Sequence, residues 1–232
     1  MYGMKNEIEA QFLDIDKEDI RAKLKKFGAK LVKPEVLMKR VVFSLDDHRY
    51  ARVRDEGDKI VMTYKNVLDG NSILGTKEVN VVVDDYDNAI LLLKSCGLKP
   101  KSREESYREK WMLGSVELCI DTWPWIPTFL EIEGPSEEEV WEVAKKLGLD
   151  KSKAKFGSVD STYRHYYGID ESVFNNETPR VDFEMNPPKW AKKAELGRRQ
   201  ESSWAADLKL FTMTASWSET QKHPSTSGGS ML

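Results

Sequence analysis

The feature that most constrains this chain is a strand-like alternation with its charges sorted by face. Near the start, Asn6-Glu7-Ile8-Glu9-Ala10-Gln11-Phe12-Leu13 puts Glu7, Glu9 and Gln11 on one side and Ile8, Ala10 and Phe12 on the other. Successive side chains of a strand point to opposite faces, so a period of two reads as β-structure. The polar face is the unusual one. Two carboxylates two residues apart lie about 7 Å apart on the same side, and like charges so placed repel unless cations lie between them. Taken alone, the segment is either an edge strand with a solvated face or a pair of metal ligands.

The pattern recurs along the chain. Arg52 and Arg54 share a face in Tyr50-Ala51-Arg52-Val53-Arg54, and the Asp55-Glu56-Gly57-Asp58 turn leads to a returning strand that ends in Lys65. Glu78 and Asn80 alternate with Val79, Val81 and Val83. Arg108 and Lys110 alternate with Tyr107, Glu109 and Trp111; Glu117, Cys119 and Asp121 alternate with Val116, Leu118 and Ile120. Phe129-Leu130-Glu131-Ile132-Glu133-Gly134 repeats the opening pattern, and residues 29–45 read as extended through an apolar run.

Three helices punctuate these strands. Asp16 caps the first, with Ile20, Leu24 and Phe27 as its stripe and Gly28 as its stop. Asp84 or Asp85 opens the second, with Ala89, Ile90, Leu93 and Cys96 inward and Gly97 at its end. Ser136 with Glu139 forms a capping box for the third, which bears Val140, Val143, Ala144 and Leu147. The sum is about eight strands, mostly joined by hairpins, with helices after the first, fifth and eighth. In a sandwich the charged faces would meet solvent as a mixture of signs. Here several faces carry only carboxylates or only basic groups. A closed barrel accommodates that, with charged faces lining the lumen and apolar faces outward beneath helices. The expected fold is therefore α+β, an eight-stranded antiparallel β-barrel or tunnel with a charged lumen and helices packed outside. It occupies residues 1–170. Residues 171–232, broken by Asn175-Asn176, Pro179 and Pro187-Pro188 and carrying the isolated Trp204 and Trp217, read as a largely disordered C-terminal tail.

Composition excludes several classes. A net charge of −3 over 232 residues gives no bulk field for nucleic acid. No run approaches the ~20 apolar residues of a membrane span, and the N-terminus lacks a signal-peptide core. Cys96 and Cys119 lack metal-ligand spacing, and His48, His165 and His223 are scattered. Chemistry would fall to carboxylates, lysines, arginines or tyrosines. A cytoplasmic protein follows, monomer or homodimer, with neither nucleic acid nor membrane as partner.

Glu7-x-Glu9, Arg52-x-Arg54, Lys65, Arg108-x-Lys110, Asp121 ahead of Phe129-x-Glu131-x-Glu133-Gly134, and Ser161-x-Tyr163 occur in an order that resembles the CYTH superfamily. These are the triphosphate tunnel metalloenzymes, which include class IV adenylyl cyclases, thiamine triphosphatases and inorganic triphosphatases. The resemblance spans about residues 5–168 and implies a tunnel that binds a triphosphate and a divalent metal. By resemblance and shared face, Glu7, Glu9, Asp121, Glu131 and Glu133 are the expected metal ligands. Arg52, Arg54, Lys65, Arg108 and Lys110 are the expected phosphate-binding residues, with Lys65 and Lys110 also in catalytic roles. Glu117 is expected to hold a basic residue. Oxygen-only ligands suit Mg²⁺ or Mn²⁺. The expected activity is hydrolysis of inorganic triphosphate or a small organic triphosphate. Adenylyl cyclisation, or phosphate binding without turnover, are the alternatives. Three positions depart from the family pattern: Gln11 stands where a lysine is usual, Asn80 where a second acid is common, and Met1-Tyr2 where cyclases carry His-Phe.

Overall fold

The opening strand is broken in two. In the computed structural model, which describes residues 3–192, β1 is Lys5–Glu7 and β2 is Glu9–Phe12. The following strands are β3 (Lys30–Ser44), β4 (Arg49–Asp55), β5 (Ile60–Val67), β6 (Thr76–Val83), β7 (Pro100–Leu113), β8 (Val116–Thr122) and β9 (Phe129–Glu133). They pair in the order β6-β5-β4-β3-β7-β8-β9. Such a sheet has two open edges. β1 takes one, antiparallel to β6 with Glu7 opposite Thr76, and β2 takes the other, antiparallel to β9 with Glu9 opposite Glu133. The first strand therefore closes the sheet into a nearly closed antiparallel barrel, and the break at Ile8 lets one segment serve both edges.

The outward faces are largely apolar and partly covered by helices, with Val79 and Val81 of β6 left exposed. α1 (Lys17–Lys26) starts at Asp16, which accepts a hydrogen bond from the Asp19 amide at 2.8 Å. It buries Ile20 and Leu24 with α3 (Glu137–Lys146) against Ala10, Leu118, Ile120, Leu130 and Ile132. α2 (Tyr86–Ser95), capped by Asp85, packs Ala89 and Ile90 on Val41, Phe43, Ala51 and Val53. Burying each such aliphatic side chain contributes roughly 1.5–3 kcal/mol, so the barrel is held from outside and its lumen is free to be charged. Two stripe residues fall outside these contacts: Phe27 and Cys96 sit at the C-caps and are exposed, because each helix ends one residue earlier than the stripe implied.

A third apolar cluster extends past residue 170. α4 (Val159–Tyr167) presents Tyr163, which stacks on Phe174 at 4.3 Å between ring centroids. Phe174 lies on α5 (Glu171–Glu177), and β10 (Arg180–Val181) adds a parallel bridge to β7. Val181 and Trp190, the latter on α6 (Lys189–Lys192), join the same cluster with Trp123, Ile126 and Phe129. Residues 171–192, assigned to the tail from their breaks, are thus packed on the barrel. Their anchors are single residues spaced by turns, so no sequence period marks them. The rest of the expected tail, with Trp204 and Trp217, lies outside the described residues. Among the described residues no helix is long and apolar enough to cross a membrane.

Candidate active site

Strand alternation delivers the charged side chains to one cavity of about 1130 Å³. Glu7, Glu9, Gln11, Arg52, Arg54, Lys65, Arg108, Lys110, Glu131 and Glu133 all line it, together with Glu78, Asn80 and Glu117. Asp121 does not. It is fully buried beneath Arg108. Nine of the ten expected site residues thus share the lumen, but the register divides the five expected metal ligands into two groups.

The first group is Glu7, Glu9 and Glu133, each of which offers a carboxylate oxygen within 4.8 Å of the others. Glu9 and Glu133 are cross-strand partners, and Glu133 also faces Glu117 on β8. Burial, followed by the charges of Glu131 and Glu7, pushes the Glu9 carboxyl well above the usual range. Burial, then Glu7, Glu117 and Glu78, carries Glu133 up to about 7. Lys65 pairs with Glu7 and lies 3.6 Å from Glu78. Burial opposes its charge, yet Tyr50 and Glu7 raise its affinity for a proton. The donor set fits a hard divalent cation: three oxygens, no nitrogen or sulfur, and repulsion that a cation between them would relieve.

The second group is Asp121 and Glu131, both held by Arg108. Arg108 donates to Asp121 through Nε at 2.7 Å and through Nη2 at 2.8 Å, and Nη2 also meets Glu131. This forked pairing is the geometry in which a guanidinium binds a carboxylate most strongly. Burial raises Glu131, with Arg108 opposing the rise. Gln11 finishes the group. Its Nε2 donates toward Glu9 and Glu131, each at 3.3 Å, and the Gly157 carbonyl at 3.0 Å, while its Oε1 accepts from Thr162 at 3.2 Å. The backbone of Gln11 also bridges Lys155. Gln11 therefore ties the two acidic groups to the 155–162 segment.

The remaining basic residues differ in how far they are already engaged. Lys110 pairs with Glu117 at 2.7 Å, as expected for Glu117. Arg54 donates from Nε to Glu56 at 2.9 Å. Among the described residues Arg52 has only a 3.4 Å contact to Thr63, and its buried Nε has no hydrogen-bond partner. Two features escaped the sequence reading. Arg40 lines the cavity from within the apolar run of β3, where alternation with Val41 and Phe43 was the available signal. The 155–162 segment closes on Gln11, and no local pattern announces that contact.

Comparison with known proteins follows the geometry. The CYTH domain profile matches residues 5–167. A Methanocaldococcus jannaschii protein named "Putative adenylate cyclase" is 25% identical over 160 residues, 62% of this chain and 91% of that one. A Pyrococcus horikoshii structure is 29% identical with a TM-score of 0.58, covering 64% of this chain and 94% of the other. A Vibrio parahaemolyticus structure at 10% identity shares the fold, with a TM-score of 0.59 over 69% of this chain and 99% of its own.

Proposed function

The chain belongs to the CYTH family, whose domain it carries over residues 5–167, and from that premise we propose that it hydrolyses a linear triphosphate, inorganic or bearing a small organic group, with Mg²⁺ or Mn²⁺. The observation that carries this reading is the composition of one cavity. A carboxylate trio gathers within 4.8 Å, and Arg52, Arg54, Lys65, Arg108 and Lys110 line the same lumen.

Glu7, Glu9 and Glu133 would hold the cation. When bound, it supplies positive charge that neutralises phosphate oxygens and the charge developing on the transferred phosphoryl group. Without that neutralisation the trio would repel a triphosphate. Arg52 and Arg54 offer planar forks that match phosphate oxygens. Arg108, fixed by Asp121, presents its guanidinium in one orientation and loses no side-chain freedom when a phosphate arrives. Lys65 sits between the carboxylates and the basic strands as a positive point charge. The enclosing barrel keeps these charges in a water-poor setting, where each is worth more than in bulk solvent.

The name of the Methanocaldococcus relative favours a second reading, in which a ribose 3′-oxygen attacks the α-phosphorus of ATP. Incubation with tripolyphosphate, ATP and thiamine triphosphate, each with Mg²⁺ or Mn²⁺, separates the cases. Free phosphate is the expected product. Cyclic AMP with pyrophosphate would establish the second reading, and binding without any turnover would refute both.

A further inference from the structure

One buried guanidinium has no part in that scheme. Arg40 on β3 is only 5% exposed, yet it borders the cavity. Its Nη2 donates to Ser106, and its guanidinium lies 4.4 Å from the centre of the Trp123 ring. Among the described residues its Nε has no hydrogen-bond partner, and no carboxylate forms an ion pair with it. Its cross-strand neighbours are Arg54 on β4 and Glu104 on β7, whose carboxylate is buried but outside ion-pair distance. Arg52, two residues along β4, carries the second unpartnered buried Nε. Three guanidiniums therefore converge on one stretch of lumen, and among the described residues only Arg54 of the three forms an ion pair, with Glu56.

A buried charge without an ion-pair partner destabilises a fold; burial, then Arg54 and Arg52, lower Arg40 to about 9, with Glu104 opposing part of the shift. Such an arrangement is balanced by an anion that offers several oxygens to several donors. The register gives the location. Arg54 lies four residues beyond Tyr50, which pairs with Lys65, and Lys65 pairs with Glu7. At about 3.3 Å per residue, Arg40 and Arg54 stand roughly 13 Å along the strands from Lys65.

We propose that Arg40 is a phosphate-binding residue, which with Arg52 receives the phosphoryl group of the substrate farthest from the Glu7–Glu9–Glu133 trio. The proposal rests on the triphosphate reading and adds a residue and a direction to it: the phosphate chain lies along the lumen with one end on the arginines.

The test is calorimetric titration of tripolyphosphate into the protein, in EDTA and again with Mn²⁺, beside melting of the ligand-free protein. Arg40→Met should weaken tripolyphosphate binding roughly tenfold or more, the worth of one charge-assisted hydrogen bond. It should leave the ligand-free Tm equal to or above that of the parent, because a buried unpaired charge is gone. Arg40→Lys keeps charge without the fork and should fall between. Affinity for Mn²⁺ alone should stay within about twofold, since the trio is remote. Parent-like tripolyphosphate binding by Arg40→Met would overturn the proposal. So would a lowered Tm in Arg40→Met with parent-like binding by Arg40→Lys, which would mark Arg40 as a prop for Trp123. Arg52→Met is the control for the wider reading. If the parent protein fails to bind tripolyphosphate both in EDTA and with Mn²⁺, the triphosphate reading fails. If Arg52→Met loses binding and Arg40→Met does not, only the Arg40 assignment fails.

Discussion

Glu133→Gln should make the metal-free protein more stable while weakening its hold on divalent cations. In the unfolded chain this carboxyl loses its proton near 4.5. In the fold it keeps the proton to about 7, through burial first and then Glu7, Glu117 and Glu78. Between those values the folded state binds more protons than the unfolded state, so stability falls as pH rises through the window and levels off above it. An interval of about 2.5 pH units, at about 1.4 kcal/mol each, gives a cost of about 3 kcal/mol at pH 8. For a domain of this size that is roughly 6–12 °C in Tm. Glutamine keeps the shape and removes the ionisation, so in EDTA the variant should melt above the parent at pH 8 and beside it near pH 4.5. Adding Mn²⁺ should raise the parent's Tm and raise the variant's less, because one of three ligand oxygens has lost its charge. Differential scanning fluorimetry across this pH range, with and without Mn²⁺, reads both effects. A variant that melts at or below the parent at pH 8 in EDTA would refute the claim that the trio is held together against its own repulsion.

Asp121→Asn should destabilise the fold by about 3–5 kcal/mol, since it removes the forked partner of a buried guanidinium. Urea unfolding measures this, and an unchanged midpoint with lost cation affinity would make Asp121 a ligand instead of an anchor. Gln11→Lys should be accommodated, because its Nε2 already has three oxygen acceptors. The new charge should move the acid limb of Mn²⁺ binding to lower pH by easing Glu9 ionisation, and calorimetry at several pH values would detect the absence of such a move. Deleting residues 175–232 should lower the unfolding free energy by about 3 kcal/mol or more through loss of the Val181 and Trp190 contacts. An unchanged denaturant midpoint would show that these residues lie on the barrel without holding it.

Much of this protein is legible in its sequence because strands and caps are local. The sorted alternation of Glu7 and Glu9, Arg52 and Arg54, Arg108 and Lys110, and Glu131 and Glu133 fixes which faces look inward. Asp16, Asp85 and Ser136 fix where the helices that cover the outward faces begin. Those features are enough for the barrel, its charged lumen and most of its lining. The tertiary structure decided how the charges are grouped. Glu133 joins Glu7 and Glu9, while Asp121 and Glu131 go to Arg108, because grouping depends on registers between strands, and the one that brings Glu9 to Glu133, more than 100 residues away, is set only when the sheet closes. Arg40 was hidden for a related reason: β3 is buried on both faces from Arg40 to Phe43, so its alternation is masked by an apolar run. Phe174, Val181 and Trp190 have no period at all and acquire meaning only where they meet Tyr163. Local physics settles which side of a strand a residue takes. Which partner it finds across the lumen is a property of the closed barrel.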